Sequence, residues 1–170
     1  MQRTDLIAFQ GRLAERLQLA QQGAAESRWL AVVAGDARLL LPLAQAGEIS
    51  AYAQPTVLPH AQPWFLGLLN LRGELCGIVD LAAFLGGGSG ARPSARSRLV
   101  QFAPSLDTNA ALLIDHLAGL RTPGQFVVDP LAPPAAEPWL GAGLLDGDGL
   151  RWRELNLALL ADDTRFLQIV

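Results

Sequence analysis

The sequence predicts a mostly β fold made of two small barrel-like subdomains, preceded by one amphipathic helix. Three observations lead there. After Arg28 the chain breaks into short apolar-rich runs separated by turn chemistry, with little room for long helices between them. A long run of apolar residues at helical spacing lies before Arg28. Finally, the segment Pro63-Trp64-Phe65-Leu66-Gly67-Leu68-Leu69 is echoed by Pro138-Trp139-Leu140-Gly141-Ala142-Gly143-Leu144-Leu145 with one residue inserted, an echo that two related subdomains explain and that chance explains nearly as well, apolar Gly-Leu strings being common. Evenly spaced short strands point to barrels because closure removes exposed edges that would otherwise pair with other chains.

The elements follow in order. Leu6, Phe9, Leu13, Leu17 and Ala20 recur at three- and four-residue steps, while Arg12, Glu15, Arg16 and Gln18 fill the other faces. Thr4 supplies an N-cap and Gly23 a stop. This helix reads as a clasp on its own domain rather than as a peptide for a partner. Trp29 to Ala34 and Arg38 to Leu43 flank Gly35-Asp36, and Phe65 to Leu71 and Glu74 to Leu81 flank Arg72-Gly73. Both pairs read as hairpins. Further strands are predicted at Arg98 to Ala103, Ala111 to Asp115, Gln125 to Val128, Gly141 to Leu145, Leu150 to Arg153 and Arg165 to Val170, with a short helix over Glu154 to Ala161. Two low-complexity stretches, 86–97 and 130–138, are predicted surface loops. The division expected is 1–26 for the helix and 27–170 for the β region.

A chain of 170 residues, 51% of them hydrophobic, can bury a substantial core. No uninterrupted apolar run approaches the roughly 20 residues of a membrane-spanning helix, and the charged N-terminus lacks the pattern of a secretory signal. A cytoplasmic protein with no direct membrane insertion is expected. All 13 basic residues are arginine, and the net charge of −3 leaves no basic face for nucleic acid. Cys76, the one cysteine, lies in an apolar run and reads as a small buried hydrophobe.

Chemistry is hard to find. The serines lie in loops without a nucleophile elbow, so the sequence supports no enzyme and nominates no catalytic residue. His60 and His116 are far apart, and neither has a second ligand at helical spacing, so no metal is expected. Asp146-Gly147-Asp148-Gly149 opens like a calcium loop but lacks the later ligands, and reads as a tight hairpin turn. Asp162 and Asp163 read as solvated. The Gly-rich stretch at 86–97 lacks the Gly-Lys-Ser/Thr ending of a phosphate loop. No cofactor is predicted.

The informative segment is Gly67-Leu68-Leu69-Asn70-Leu71-Arg72-Gly73-Glu74. Gly73 permits a turn with positive φ, and Asn70 can bond nearby backbone to set it. Arg72 then projects from a rigid corner, where it can either pair with an acid of its own fold or anchor a partner.

Gly67, Asn70, Arg72 and Gly73, followed by a strand ending in Asp80-Leu81, resemble the signature of the CheW-like domain of chemotaxis coupling proteins. Leu58-Pro59 with Trp64, Phe84-Leu85-Gly86, Arg98-Leu99-Val100 and Leu112-Leu113-Ile114-Asp115 extend the resemblance over roughly 28–160. Gly77 departs from the family's usual proline, Ala111 from a common glycine, and His116 from a frequent acid. With the leading helix and the Arg165-Phe166-Leu167 tail, the pattern most resembles the subgroup serving type IV pilus twitching motility. The resemblance implies two SH3-like five-stranded β-barrels around a shared apolar groove, and no catalysis. It implies two partners: the regulatory domain of a CheA-like histidine kinase and the cytoplasmic tip of a methyl-accepting chemoreceptor, with recruitment to membrane-associated receptor arrays. Carried over by position, Asn70, Arg72 and Gly73 would bind a partner, while Gly67, Asp80 and Leu81 would be structural. The alternatives are a coupling protein of flagellar chemotaxis, or an unrelated small β-barrel that binds peptides.

Overall fold

The computed structural model describes residues 28–88 and 92–170, together with Gly11 and Ala14. Apart from those two positions, the predicted N-terminal helix lies outside the described residues.

Among the described residues, eleven strands fall into two sheets. β1 (Trp29–Ala34) and β2 (Ala37–Pro42) form the first hairpin, turning at Gly35 with φ 58°. β3 (Ala46–Ala51) leads through a long loop to β4 (Phe65–Leu71) and β5 (Glu74–Asp80), the second hairpin, which ends in the one-turn helix α1 (Leu81–Phe84). β6 (Arg98–Phe102), β7 (Ala110–Ile114), β8 (His116–Arg121) and β9 (Phe126–Val128) follow. β10 (Leu140–Asp146) and β11 (Arg151–Leu155) form a third hairpin, and α2 (Leu157–Ala161) and α3 (Thr164–Leu167) close the chain.

One sheet runs β8-β1-β2-β11-β10-β9 and the other β3-β6-β7-β5-β4. Read from one edge, their first five strands make the same ladders: antiparallel, antiparallel, parallel, antiparallel. The Trp64 and Trp139 segments occupy equivalent places, each leading into a hairpin that ends in a capped helical turn. Asp80 N–H donates to the Trp64 carbonyl at 2.8 Å, and Asn156 N–H to the Trp139 carbonyl at 2.8 Å. The Asp80 carboxylate accepts from Ala83 N–H at the start of α1, and the Asn156 side chain from Leu159 N–H at the start of α2. Gly67 and Gly143 are equivalent as well. A Cβ would stand 2.1 Å from the Thr56 carbonyl oxygen at the first and 2.2 Å from the Ala132 side chain at the second, so each lets a neighbouring segment lie directly on its strand.

Alternation along the strands gives each sheet two apolar faces. Leu30, Val32, Leu39 and Leu41 join Val79, Val100, Leu112 and Ile114 in a core shared between the sheets. Ala31, Leu40 and Trp152 form a small cluster on the other face of the six-stranded sheet; Cys76, Ile78, Leu99, Ala111 and Leu113 do the same for the five-stranded one. The shared core is therefore filled rather than grooved, and each sheet curls around its own cluster. Neither sheet closes, which corrects the expectation of two five-stranded barrels: among the described residues no ladder joins β8 to β9 or β3 to β4. Curling brings the edges near each other. Thr56 bridges to Leu68 beside β4, and the Trp29 ring meets Phe126 of β9 edge-on at 5.6 Å.

The predicted strand at Arg165 to Val170 is instead α3 followed by an extended tail. Asp163 accepts from the N–H groups of Arg165 and Phe166 at 2.9 and 3.1 Å, and this cap turns the chain into a helix that buries Phe166. Asp163 also accepts from the Trp139 indole at 3.1 Å, so it is no merely solvated acid. The helix predicted from Glu154 starts only after its cap at Asn156, because Glu154 and Leu155 belong to β11. β3 and β8 were absent from the predicted strands; AGEISA and HLAGLR carry too few β-branched or aromatic residues to be read as strands alone. The proline-rich stretch at 130–138 is a surface loop held at its start by Asp129 paired with Arg151 at 3.0 Å, and near its middle by Arg153 donating to the Pro133 carbonyl at 2.8 Å.

Phe166 closes the shared core, stacked on Phe102 at 5.6 Å and on Trp64 at 6.3 Å. Phe166→Ala should lower stability by about 3–5 kcal/mol, measured by denaturant unfolding; a loss below about 1 kcal/mol would mean that the terminal turn contributes little to the core.

Candidate functional site

The β4–β5 turn has only two central residues, Arg72 and Gly73, with φ of 51° and 87°. Two consecutive positive φ values define the hairpin turn whose twist matches that of its strands. Gly73 takes this conformation freely, whereas Arg72 is held in it at a cost on the order of 1 kcal/mol. The Asn70 side chain offsets that cost by accepting from Gly73 N–H at 2.9 Å. Asn70, Arg72 and Gly73 thus act together as one stiff corner.

Arg72 Nε lies 2.9 Å from Glu48 Oε1, with the arginine side chain 82% exposed and the glutamate 36%. Glu48, on β3, was not singled out in the sequence, and it lies in a strand that the sequence did not reveal. No local signal could have found it, because β3 and the β4–β5 turn are far apart along the chain. An exposed pair of this kind contributes about 0–1 kcal/mol, so its effect is to aim the guanidinium. Of the two roles open to Arg72 in the sequence, pairing within the fold is met, while most of the guanidinium still faces solvent.

Beside the pair lies a polar hollow of about 380 Å³ lined by Glu48, Arg72, Glu74, Gln101, Thr108 and Asn109, with Cys76 at its floor. Cys76 is buried, accepts a 3.6 Å contact from Gln101 Nε2, and presents no reactive thiol to solvent. On the other side of the hairpin an apolar groove of about 250 Å³ runs past Leu68, Leu75, Val79, Phe166 and Ile169. The corner is therefore a charged tip between a polar hollow and an apolar groove.

The other predicted positions lie elsewhere. Gly67 is inside β4, with φ 133°, pressed against Thr56. Asp80 and Leu81 are at the far end of β5, about 20 Å from the turn at a strand rise of roughly 3.3 Å per residue. Asp80 caps α1 and Leu81 is fully buried, so both hold the fold rather than the corner. His60 lies in the loop before β4 and His116 opens β8; among the described residues no group of three or more His, Cys, Asp or Glu is placed to hold a metal.

The Asp146–Gly149 segment is a hairpin turn that consumes its own carboxylate. Asp146 accepts from the N–H groups of Asp148 and Leu150, each at 2.9 Å, and from the Trp152 indole at 2.8 Å. Burial pushes its pKa up, but the bonds from Leu150, Trp152 and Asp148, with the nearby Arg121 charge, outweigh that and hold it below the usual carboxylate value. A lowered folded-state pKa contributes stability that is present above the ordinary value of 3.8 and is lost as pH falls through the lowered one. Asp146→Asn, which keeps one acceptor oxygen and removes a solvent-screened charge, should therefore cost about 0.5–1 kcal/mol at neutral pH, and its gap from the parent should narrow under acid, in urea unfolding curves taken across pH. A gap independent of pH would show that the charge itself does not matter.

Residues 28–165 match the family profile described as the CheW-like domain. Protein PilI of Pseudomonas aeruginosa is 33% identical over 112 residues, which cover 65% of this chain and 60% of that one. The chain thus spans about three fifths of that relative's length. FrzA of Myxococcus xanthus is 31% identical over 152 residues, covering 86% and 92% of the two chains. In structure, the scaffolding protein TtCheW of Thermoanaerobacter tengcongensis superposes with a TM-score of 0.64 at 17% identity, covering 78% of this chain and 85% of that one, which speaks for the fold.

Proposed function

This chain belongs to the CheW-like domain family, and from that premise we propose that it is a non-catalytic adaptor coupling methyl-accepting chemoreceptors to a CheA-like histidine kinase. The system it serves is of the chemotaxis type and controls type IV pilus twitching motility; the similarity to PilI, with FrzA beside it, supports that assignment. The adaptor works in the cytoplasm, gathered with its partners at membrane-associated receptor arrays.

The observation that carries this reading is the Arg72 corner. A partner anchor needs an exposed group whose position is set before binding, because ordering a loose side chain at the interface would cost affinity. Arg72 meets that need through the two-residue turn, the Asn70 bond and Glu48. Asn70 and Gly73 take part by fixing the backbone on which Arg72 stands. Such an adaptor transmits a signal without chemistry: it holds receptor and kinase in one geometry, and a change of receptor state shifts the kinase through contacts that differ between the two states.

Titration calorimetry against the regulatory domain of the CheA-like kinase from the same organism tests the reading. Saturable one-to-one binding is expected, weakened about 30-fold or more by Arg72→Glu, which corresponds to about 2 kcal/mol at a central anchor. Unchanged affinity in a folded variant would remove Arg72 from the interface. Absence of binding near 100 μM, where only contacts weaker than about −5.5 kcal/mol escape detection, would favour an unrelated β module.

A further inference from the structure

We propose that a hollow between β2, β11 and the proline-rich loop is a docking site for an acidic segment of a partner chain, one that carries an apolar side chain next to a carboxylate. The hollow encloses about 330 Å³ and opens to solvent, with Leu39, Leu85, Leu140 and Pro133 among its walls. It lies on the inward face of the six-stranded sheet, on the other half of the molecule from Arg72.

Two arginines stand at this hollow, and the strand that carries them is out of keeping with its repeat. Along β11, Trp152 joins the outer cluster and Leu155 the shared core, so Arg151 and Arg153 lie on the inward face with Leu155. Arg153 stands in register with Leu39 of β2 on one side and Gly143 of β10 on the other. Counted back from the caps at Asp80 and Asn156, Arg151 and Arg153 occupy the places of Leu75 and Gly77 in β5. Leu75 and Gly77 line the apolar groove of the five-stranded half. The six-stranded half has guanidinium groups at the same positions.

An arginine on an inward face needs an opposite charge, because burial without one is costly. Arg151 has one. Its Nε lies 3.0 Å from Oδ2 of the buried Asp129, whose Oδ1 accepts from Leu131 N–H at 2.9 Å, so the acid is spent on its own turn and on aiming Arg151. The Arg151 side chain remains 62% exposed. Arg153 has none: it is half-buried and donates to the Gly141 and Pro133 carbonyls at 3.1 and 2.8 Å, and no carboxylate pairs with it among the described residues. Asp36 and Arg38, the other charged residues of the lining, offset each other, which leaves the hollow with an excess of positive charge.

That excess and the apolar walls together define the occupant. A carboxylate matches the planar edge of a guanidinium, and an aliphatic side chain beside it along the chain fills the space between Leu39, Leu85 and Leu140. The open mouth leaves room for the backbone that brings the two together.

The acetylated, amidated peptide Glu-Glu-Leu-Glu-Glu is the probe, titrated into the isotope-labelled full chain and followed by amide chemical shifts. Saturable shifts are expected at Leu85, Ala132, Arg151 and Arg153, with a Kd on the order of 1 mM, as suits a single seated side chain. Arg153→Gln should weaken binding at least tenfold. Pro133→Glu, at an exposed position of the lip that leaves both arginines in place, should weaken it at least threefold and covers the case in which Arg153→Gln misfolds. Val57→Asp, which adds the same charge in the loop before β4, should leave it unchanged. The inference is overturned if the peptide at about 10 mM shifts none of these amides, if Glu-Glu-Ser-Glu-Glu binds as well, or if Val57→Asp acts like Pro133→Glu. It is equally overturned if free glutamate or inorganic phosphate reproduces the shifts at the same concentration, which would make the hollow a site for small anions.

Discussion

The structure depends on one aromatic sandwich. Phe84 lies 5.0 Å from the ring of Trp64 and 5.6 Å from that of Trp139, one indole just before β4 and the other just before β10. Neither sheet could bury its inward face alone, since each already curls around only a small cluster of its own. Phe84 is delivered to that place by α1, which exists because Asp80 caps it, and Arg165 closes the other side by lying over the Phe84 ring at 4.2 Å and donating to its carbonyl. The cap, the helix turn and the C-terminal arginine thus serve one contact at the centre of the core that the two halves share.

How much of this the sequence disclosed can be traced residue by residue. Hairpins with Gly-Asp and Arg-Gly turns were legible because positive φ leaves a chemical mark. The internal echo of the two tryptophan segments proved to be a real repeat, down to the glycines on which a neighbouring segment rests. What escaped depends on contacts far apart along the chain. β3 and β8 are strands because of their partners and not through composition, and the short α3 exists because Asp163 caps it and Phe166 has an aromatic pocket to fill. Glu48 was invisible for the same reason: its meaning arises only where β3 passes the β4–β5 turn. The barrel expectation failed more narrowly. Strand spacing reports how many strands there are, whereas closure depends on whether the two edge strands exchange hydrogen bonds, and spacing says nothing of that.

The corner also shows that stiffness and stability are separate properties. Its ion pair adds little free energy, and its arginine occupies a backbone conformation most residues avoid. What the corner gains is a side chain whose direction is settled by a two-residue turn, an asparagine and an acid on another strand. Removing any of these would leave the fold standing while loosening the tip.

The repeat was not kept uniform. At one end its β-hairpin turn carries an arginine; at the equivalent turn of the other half stand Asp146 and Asp148, the first of them held ionised by its own backbone. Two halves with one topology thus end in unlike tips, one an arginine paired across strands with Glu48 and the other an aspartate tied to its own turn, so a neighbour that fits one tip meets different chemistry at the other.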